Sequence, residues 1–483
     1  MKSNIISNQK HILISVALFL LIKAFMPQIY GLTAHGVNAI GLFIAVVYLW
    51  TTVSIGWPSY LIIGLVPFLS FMSPNEVFRE SFGSWLVPFV ISMIILNNAL
   101  KECGFTKRIA LWFITREIVR NRPWVLITMF LLSSMFVGMF MSNVPTMVIF
   151  LAMAEALLND LGYQRGEKLP AVLMTGLNVS ISMAYGATPI AHSVPLMVLA
   201  FIQRDFGVLV SFGKYMIVGV PLSLVFFFIM ILVLKYIYKP DVTKLKNYKL
   251  DEKKKELKPM TMQEQIISSA FLILIFIFLF PTFGHGFAPN ICAFLNKIGT
   301  VPPTIVIICI LCNIKIDNRP LIEINNAFRD VNWSSVILIA AISLVGTMLT
   351  HESTGVTPFL TGVFQPLAIS ASSSVFVLVI IFWTLLQTNI MSNTVAATVV
   401  YSVAIPLLTA HFANILNPAA LGIMISIAAC YAFLTPTATP CCSISAGSGW
   451  ITVKEMVQYG ALLFAISLAL LYFVGYPLLA FVL

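Results

Sequence analysis

Two short polar stretches interrupt otherwise apolar sequence, and each has a second copy. Met141-Ser142-Asn143 is followed by Ala187-Thr188-Pro189, and Met391-Ser392-Asn393 by Ala438-Thr439-Pro440. The copies stand 250 residues apart, and their internal spacing also matches: 46 residues from Ser142 to Thr188, and 47 from Ser392 to Thr439. Polar backbone is costly where no water reaches it, so each stretch must be shielded by protein or line a cavity. Paired interruptions in the two halves of a membrane chain are how broken helices meet near the bilayer midplane of a transporter built from repeats.

At each break a new half-helix begins, and its first N–H groups lack intrahelical partners. Ser, Asn and Thr are the residues that cap such ends. Pro145, Pro189 and Pro440 suit a first helical turn, where the missing N–H costs nothing. Four converging starts would present about two positive charges, since each carries roughly half of one. That charge matches a dianion. No Lys or Arg lies in the breaks, so an anion must be held by helix ends, by the amides of Asn143 and Asn393, and by the hydroxyls of Ser142, Ser392, Thr188, Thr394 and Thr439. Sodium needs several oxygens, which unwound backbone, hydroxyls and Asn carbonyls supply. Thr388, four residues before Ser392, adds a hydroxyl in the second copy, whereas the first has Gly138 there. The plain alternative, polar residues capping kinked helices in a packed bundle, explains one break better than two matched pairs.

The elements that carry these residues follow from composition. Of the 483 residues 59% are hydrophobic and only 10% charged, with a mean hydropathy of +0.97. No soluble domain hides that much apolar surface, so the expected fold is an all-α polytopic membrane protein. We expect about eleven transmembrane helices plus two re-entrant hairpins. With the amino terminus in the cytoplasm and the carboxy terminus outside, all but Lys23, Arg79, Arg204, Lys214 and Lys297 of the 28 Lys and Arg fall on the cytoplasmic side. A net charge of +10 distributed this way points to membrane topology rather than nucleic acid. The apolar run after His11 is long and ends at no small-residue cleavage site, so it is read as a retained helix in the cell membrane. Seven cysteines on membrane helices do not form a disulfide framework.

The expected organisation is a first transmembrane helix over 1–35 and a first inverted repeat over 36–238. A cytoplasmic linker over 239–262 and a second inverted repeat over 263–483 follow. Each repeat carries a hairpin (124–160 and 370–411) and a broken helix (169–203 and 417–454). The interruptions of the broken helices are placed at Gly186 to Pro189 and Thr435 to Pro440, and 351–369 reads as loop. Residues 101–122 interleave basic and apolar side chains, as a segment along the cytoplasmic surface would. Basic residues flank the first hairpin but not the second, so the two are expected to enter from opposite sides.

These residues resemble the divalent-anion/sodium symporter family over almost the whole chain. Ser142-Asn143-Val144 and Ser392-Asn393-Thr394 are similar to its two hairpin-tip signatures, and Ala429 to Val457 to its carboxy-terminal signature. The resemblance implies an elevator-type homodimer in membrane lipid, transporting dicarboxylates, tricarboxylates or sulfate. It implies substrate contacts at Asn143, Thr188, Asn393, Thr394, Thr439 and Pro440, and the breaks themselves add Ser142, Val144, Pro189 and Ser392 to the expected site. It also implies a sodium site at Thr388, Met391, Asn393 and Ala438, and a first site at Gly138, Ser142, Asn143 and Ala187. In this chain the first copy departs from the family pattern, with Val144 for Thr and Gly138 for a sodium-ligating Ser, and His192 is unusual where it stands. Exchange of C4 and C5 dicarboxylates (succinate, malate, fumarate, 2-oxoglutarate) without a sodium gradient is therefore the expected activity, with sodium-coupled di- or tricarboxylate or sulfate symport as the alternative. No enzyme is expected, and no cofactor other than a transported Na+. His351-Glu352 lacks the second histidine of a zinc motif. No carboxylate of the kind a cation pump places at membrane depth lies near the breaks.

Overall fold

The computed structural model describes residues 2–190, 192–370 and 372–483, with side chains for all of these except 2–8 and 364–370. Met1, Ala191 and Ala371 fall in the expected segments 1–35, 169–203 and 370–411 and lie outside the described residues. The fold is helical almost throughout. Among the described residues the only strands are the two-residue pair Lys315–Ile316 and Arg319–Pro320. Asp317 and Asn318, both at positive φ, make the tight turn between them.

Among the described residues, seven helices are long and apolar enough to cross a membrane, and nine if each of two sharply bent pairs counts as one span. The amino-terminal helix is Lys2–Phe25. One bent pair is Leu86–Glu102 with Phe105–Ile114, which turns by 59° at Gly104, a residue in the left-handed region. The second helix of that pair is the basic, apolar stretch expected along the surface. The stretch 351–369, expected as loop, is instead mostly helical, within Val356–Ser370. That helix's lack of charge reflects helix packing rather than an open connection, since it lies against Asn393–His411.

Two helices form the centre. Lys168–Ala187 is only moderately apolar, yet Leu169 to Ala187 are all buried, Asn178, Ser180 and Ser182 included. Pro418–Cys430 is buried from Ala419 to Cys430 and packs against it. Across their meeting point the Ser182 hydroxyl donates to the carbonyl of Ala432 at 2.8 Å. Those two residues are 250 apart, the same offset that separates the two sequence copies.

The segment after Phe212–Leu232 was expected as a plain linker. It contains a short helical turn, Thr243–Asn247, and the helix Leu250–Glu256, both pinned to the rest of the protein by ion pairs. Arg120 bridges Glu117 and Asp251, Lys254 also reaches Glu117, and Lys244 pairs with Glu167 at 2.9 Å. Arg108 forms a two-pronged pair with the buried Glu264 at the start of the next long helix. Elsewhere, Arg204 packs against Gly346, where an added Cβ would lie 2.0 Å from its Nη1. Only glycine leaves room there for a guanidinium between the helices Ser193–Phe206 and Trp333–Thr350.

Candidate functional site

Each Ser-Asn motif sits where one helix ends and another begins. Pro123–Gly138 gives way at Met139–Ser142 to Asn143–Asp160, and Ser373–Thr388 gives way at Asn389–Ser392 to Asn393–His411. In both, the tip serine is the N-cap residue, yet the side-chain hydroxyl of neither Ser142 nor Ser392 accepts a hydrogen bond from the helix it precedes. The capping expected of them is absent, which leaves both hydroxyls available to a ligand. Asn143 is partly exposed and Val144 exposed at the first tip, whereas Asn393 and Thr394 are 6% and 7% exposed at the second.

The breaks in the central helices are longer than the sequence suggests. Lys168–Ala187 ends at Thr188, and the next helix does not start until Ser193. Pro189 therefore lies outside any helix rather than in a first turn. His192, not Thr188, is the N-cap, its Nδ1 accepting from the Val194 N–H at 3.3 Å. An Nδ1 that accepts belongs to the neutral ring with its proton on Nε2. The ring also stacks on Tyr185 at 5.0 Å between centroids. In the second copy Pro418–Cys430 ends before Tyr431, and the next helix is Pro440–Gly447. Here Thr439 does cap, accepting from the Cys442 N–H at 3.3 Å, and Pro440 opens the helix as expected.

Hydrogen bonds tie each tip to its break, by different residues in the two copies. The Thr188 hydroxyl donates to the Met139 carbonyl at the first tip. At the second tip, Thr435 rather than Thr439 donates to the Asn389 carbonyl. Asn389, which stands where the first copy has Met139, is the hub of the second tip. Its Nδ2 donates to the carbonyls of Leu385 and Tyr431 at 2.8 and 3.1 Å, and its Oδ1 accepts from the N–H groups of Phe433 and Leu434, both at 2.8 Å. One amide side chain thus satisfies the backbone of the unwound stretch 431–434, which is costly to leave unpaired when buried. Asn389 and Thr435 were not anticipated. A buried Asn in an apolar run is a signal in its own right, but comparing the two copies hides it, because Met139 is apolar.

Oxygens converge beside this hub. The Thr388 hydroxyl lies 3.1 Å from Asn393 Oδ1 and also within hydrogen-bond reach of the Ala429 carbonyl. One hydroxyl has one proton, so one of the two acceptors faces the Thr388 oxygen without a hydrogen between them. Ala429 is in the last turn of its helix, where carbonyls lack intrahelical partners. A small cation suits such a cluster.

The first copy has no equivalent. Gly138 has no side-chain oxygen, and a Cβ added there would sit 3.0 Å from the Ala184 Cβ. The Ala187 carbonyl lies against Gly219, 2.6 Å from where a Cβ of that residue would be. Asn143 Oδ1 accepts only from the neighbouring Val144 N–H, at 3.0 Å. Of the remaining expected residues, Ala438 is buried in the turn after Thr435 and Met391 is partly exposed at the second tip. No hydrogen bond among the described residues joins Asn143 to Asn393. The two halves meet through helix packing: Asn143–Asp160 lies against Pro440–Gly447, and Ser193–Phe206 against Asn393–His411. Each hairpin's second helix therefore packs on the far side of the other copy's broken helix.

Among the described residues no group of three or more His, Cys, Asp or Glu is placed to hold a metal ion. The comparisons with known proteins agree with the membrane architecture. The family model described as citrate transporter matches residues 45–428, most of the chain. The sodium-dependent dicarboxylate transporter SdcS of Staphylococcus saprophyticus is 25% identical over 455 residues, covering 91% of this chain and 85% of that protein. The protein of the same name from Staphylococcus aureus strain USA300 is 25% identical over 486 residues, covering 96% and 90%. The resemblance carried by the Ser-Asn motifs is thereby upheld. This chain belongs to the citrate transporter (CitMHS) family: it is a multi-pass membrane transporter of the divalent-anion/sodium symporter kind and not an enzyme.

Proposed function

We propose that the protein is a sodium-coupled symporter of C4 and C5 dicarboxylates. The observation that carries the coupling is the oxygen cluster of Thr388, Asn393 and Ala429 at the second tip. The names of the relatives point the same way, and together they displace the sodium-independent exchange expected from Gly138. That expectation treated one weak site as decisive. With the second tip able to hold a cation, the lack of a hydroxyl at Gly138 does not abolish coupling.

The dianion is held between the tips. Asn143 and Asn393 donate through their amides, Ser142, Ser392 and Thr394 through hydroxyls, and the starts of their helices supply partial positive charge. Thr188 and Thr439 act from the breaks, with Pro189 and Pro440 beside them. Sodium is carried at Thr388, Asn393 and the carbonyls around them, Met391 and Ala438 included. The contact between residues 250 apart and the reciprocal packing of each hairpin on the other copy support two inverted repeats around this site. A homodimer in the cell membrane, its tips and breaks moving together as an elevator, is the working arrangement, with the amino terminus cytoplasmic and the carboxy terminus outside.

The test is uptake of labelled succinate into liposomes by purified protein under an inward sodium gradient. Asn143→Ala and Asn393→Ala each abolish uptake while leaving the thermal transition of the protein in place. Wild-type rates in both variants would remove the site assignment.

A further inference from the structure

The surface helix Phe105–Ile114 does not close onto the first hairpin along its whole length. A groove of about 420 Å3 remains between them, within the ~300–1,000 Å3 of small-molecule sites. Its walls are apolar: Leu111 and Ile114 from the surface helix, Phe130 from Pro123–Gly138, and Ile149 and Met153 from Asn143–Asp160. Its mouth is polar and comes from the linker, with Tyr248, Lys253 and Glu256 facing Lys107 of the surface helix. Tyr248 ties the linker to that helix by donating to the Ile114 carbonyl at 3.4 Å.

The charges at the mouth do not cancel. Lys253 is paired with Glu256 at 3.0 Å, while no carboxylate among the described residues pairs with the exposed Lys107. One net positive charge therefore stands over an apolar trench. The same helix carries an exposed Trp112 with Arg116 lying over its ring at 4.3 Å, the arrangement of a segment seated at a membrane interface. An apolar slot at that level, open at a cationic rim, has the form of a lipid site rather than of a peptide or solute site.

We propose that this groove binds one anionic phospholipid, a phosphatidylglycerol-type monoanion, with an acyl chain between the surface helix and the first hairpin and its phosphate at Lys107. The lipid would fill the seam that separates the hairpin carrying Asn143 from the linker clamped by Glu117, Arg120, Asp251 and Lys254. It thereby couples membrane composition to the element that bears half of the site.

The experiment uses full-length purified protein in detergent and native mass spectrometry. Phosphatidylglycerol and phosphatidylcholine with identical acyl chains are the competing probes. Phosphatidylglycerol is retained in preference, and Lys107→Gln lowers its retention about fivefold, the effect of one lysine near an anionic headgroup. Ala152→Phe, at an exposed residue of the groove wall, displaces both lipids without lowering the thermal transition of the lipid-free protein. Equal retention of the two lipids, or no response to Lys107→Gln, would overturn the headgroup assignment. Unchanged retention in Ala152→Phe would overturn the groove itself. None of these readouts depends on transport, so failure here leaves the symport proposal standing on its own test.

Discussion

At the first tip the Met139 carbonyl takes the Thr188 hydroxyl and Gly138 packs close to Ala184. At the second, the Asn389 side chain makes four hydrogen bonds to backbone, three of them to the unwound stretch 431–434, and the Thr388 hydroxyl stands between two acceptor oxygens. Both tips open on a Ser whose hydroxyl is not used as a cap. On the proposed function, the Ser and Asn that both tips share serve the substrate, while Thr388 and Asn389, which have no counterpart in Gly138 and Met139, serve the cation and the unwound backbone. A dianion has two charged ends that each half can grip in the same manner. A coupling ion needs one complete oxygen cage, and one copy can lose its own without the other being affected.

The largest effect should come from the hub. Asn389→Leu leaves the N–H groups of Phe433 and Leu434 unpaired, a loss of about 3–5 kcal/mol. Met139→Leu, the same replacement at the matching position, should cost less than about 1.5 kcal/mol, because its carbonyl is retained and its volume nearly so. Thermal unfolding in detergent compares the two, and equal losses would erase the distinction between hub and simple brace.

Gly138→Ser forces a Cβ against Ala184 and should cost about 1–3 kcal/mol by overpacking. Combined with Ala184→Gly the stability returns, and the first tip gains a hydroxyl at the position Thr388 occupies in the second. The double variant should then respond to sodium more steeply than wild type in uptake assays. If it does not, the missing hydroxyl is not what separates the copies. Thr388→Val should lower apparent sodium affinity at least tenfold, equivalent to about 1.4 kcal/mol, with a smaller change in succinate affinity at saturating sodium. An unaltered sodium dependence would move the cation elsewhere.

The smallest effect concerns the linker. Hydrogen bonds from Arg120 and then Lys254 push the Glu117 carboxyl down to about 2, and Arg120 also lowers Asp251. Carboxylates depressed in the folded state contribute fully above their ordinary range near pH 4.5 and lose that contribution as pH falls toward 2. Hydrogen exchange over 243–257 should therefore be flat from pH 5 to 8, after correction for intrinsic rates, and rise below about pH 4. Because these groups are exposed and screened, high salt should loosen the same segment.

Much of this was legible in residue types. Membrane class, the helix-to-helix turns at Ser142 and Ser392 and the starts at Asn143, Asn393 and Pro440 follow from apolar runs interrupted by cap residues and proline. The failures have a common cause: long-range hydrogen bonds decide where a buried helix stops. Asn389 holds 431–434 unwound, so the second break begins at Tyr431 rather than at Thr435, and no local signal at Tyr431 announces it. Pro189 reads as a helix start by type, yet Thr188 is held extended by its bond to Met139 and the helix begins only after His192. The oxygen cluster was partly visible, since Thr388 and Asn393 were named, but Ala429 contributes through a carbonyl that has no sequence signature.

Uptake of labelled succinate into empty liposomes at graded external sodium is the most direct test of whether the second tip couples sodium to dicarboxylate movement. With sodium coupled at Thr388 and Asn393, uptake rises with external sodium and needs no dicarboxylate inside. Uptake that occurs only into vesicles preloaded with dicarboxylate, and is indifferent to sodium, would contradict that coupling.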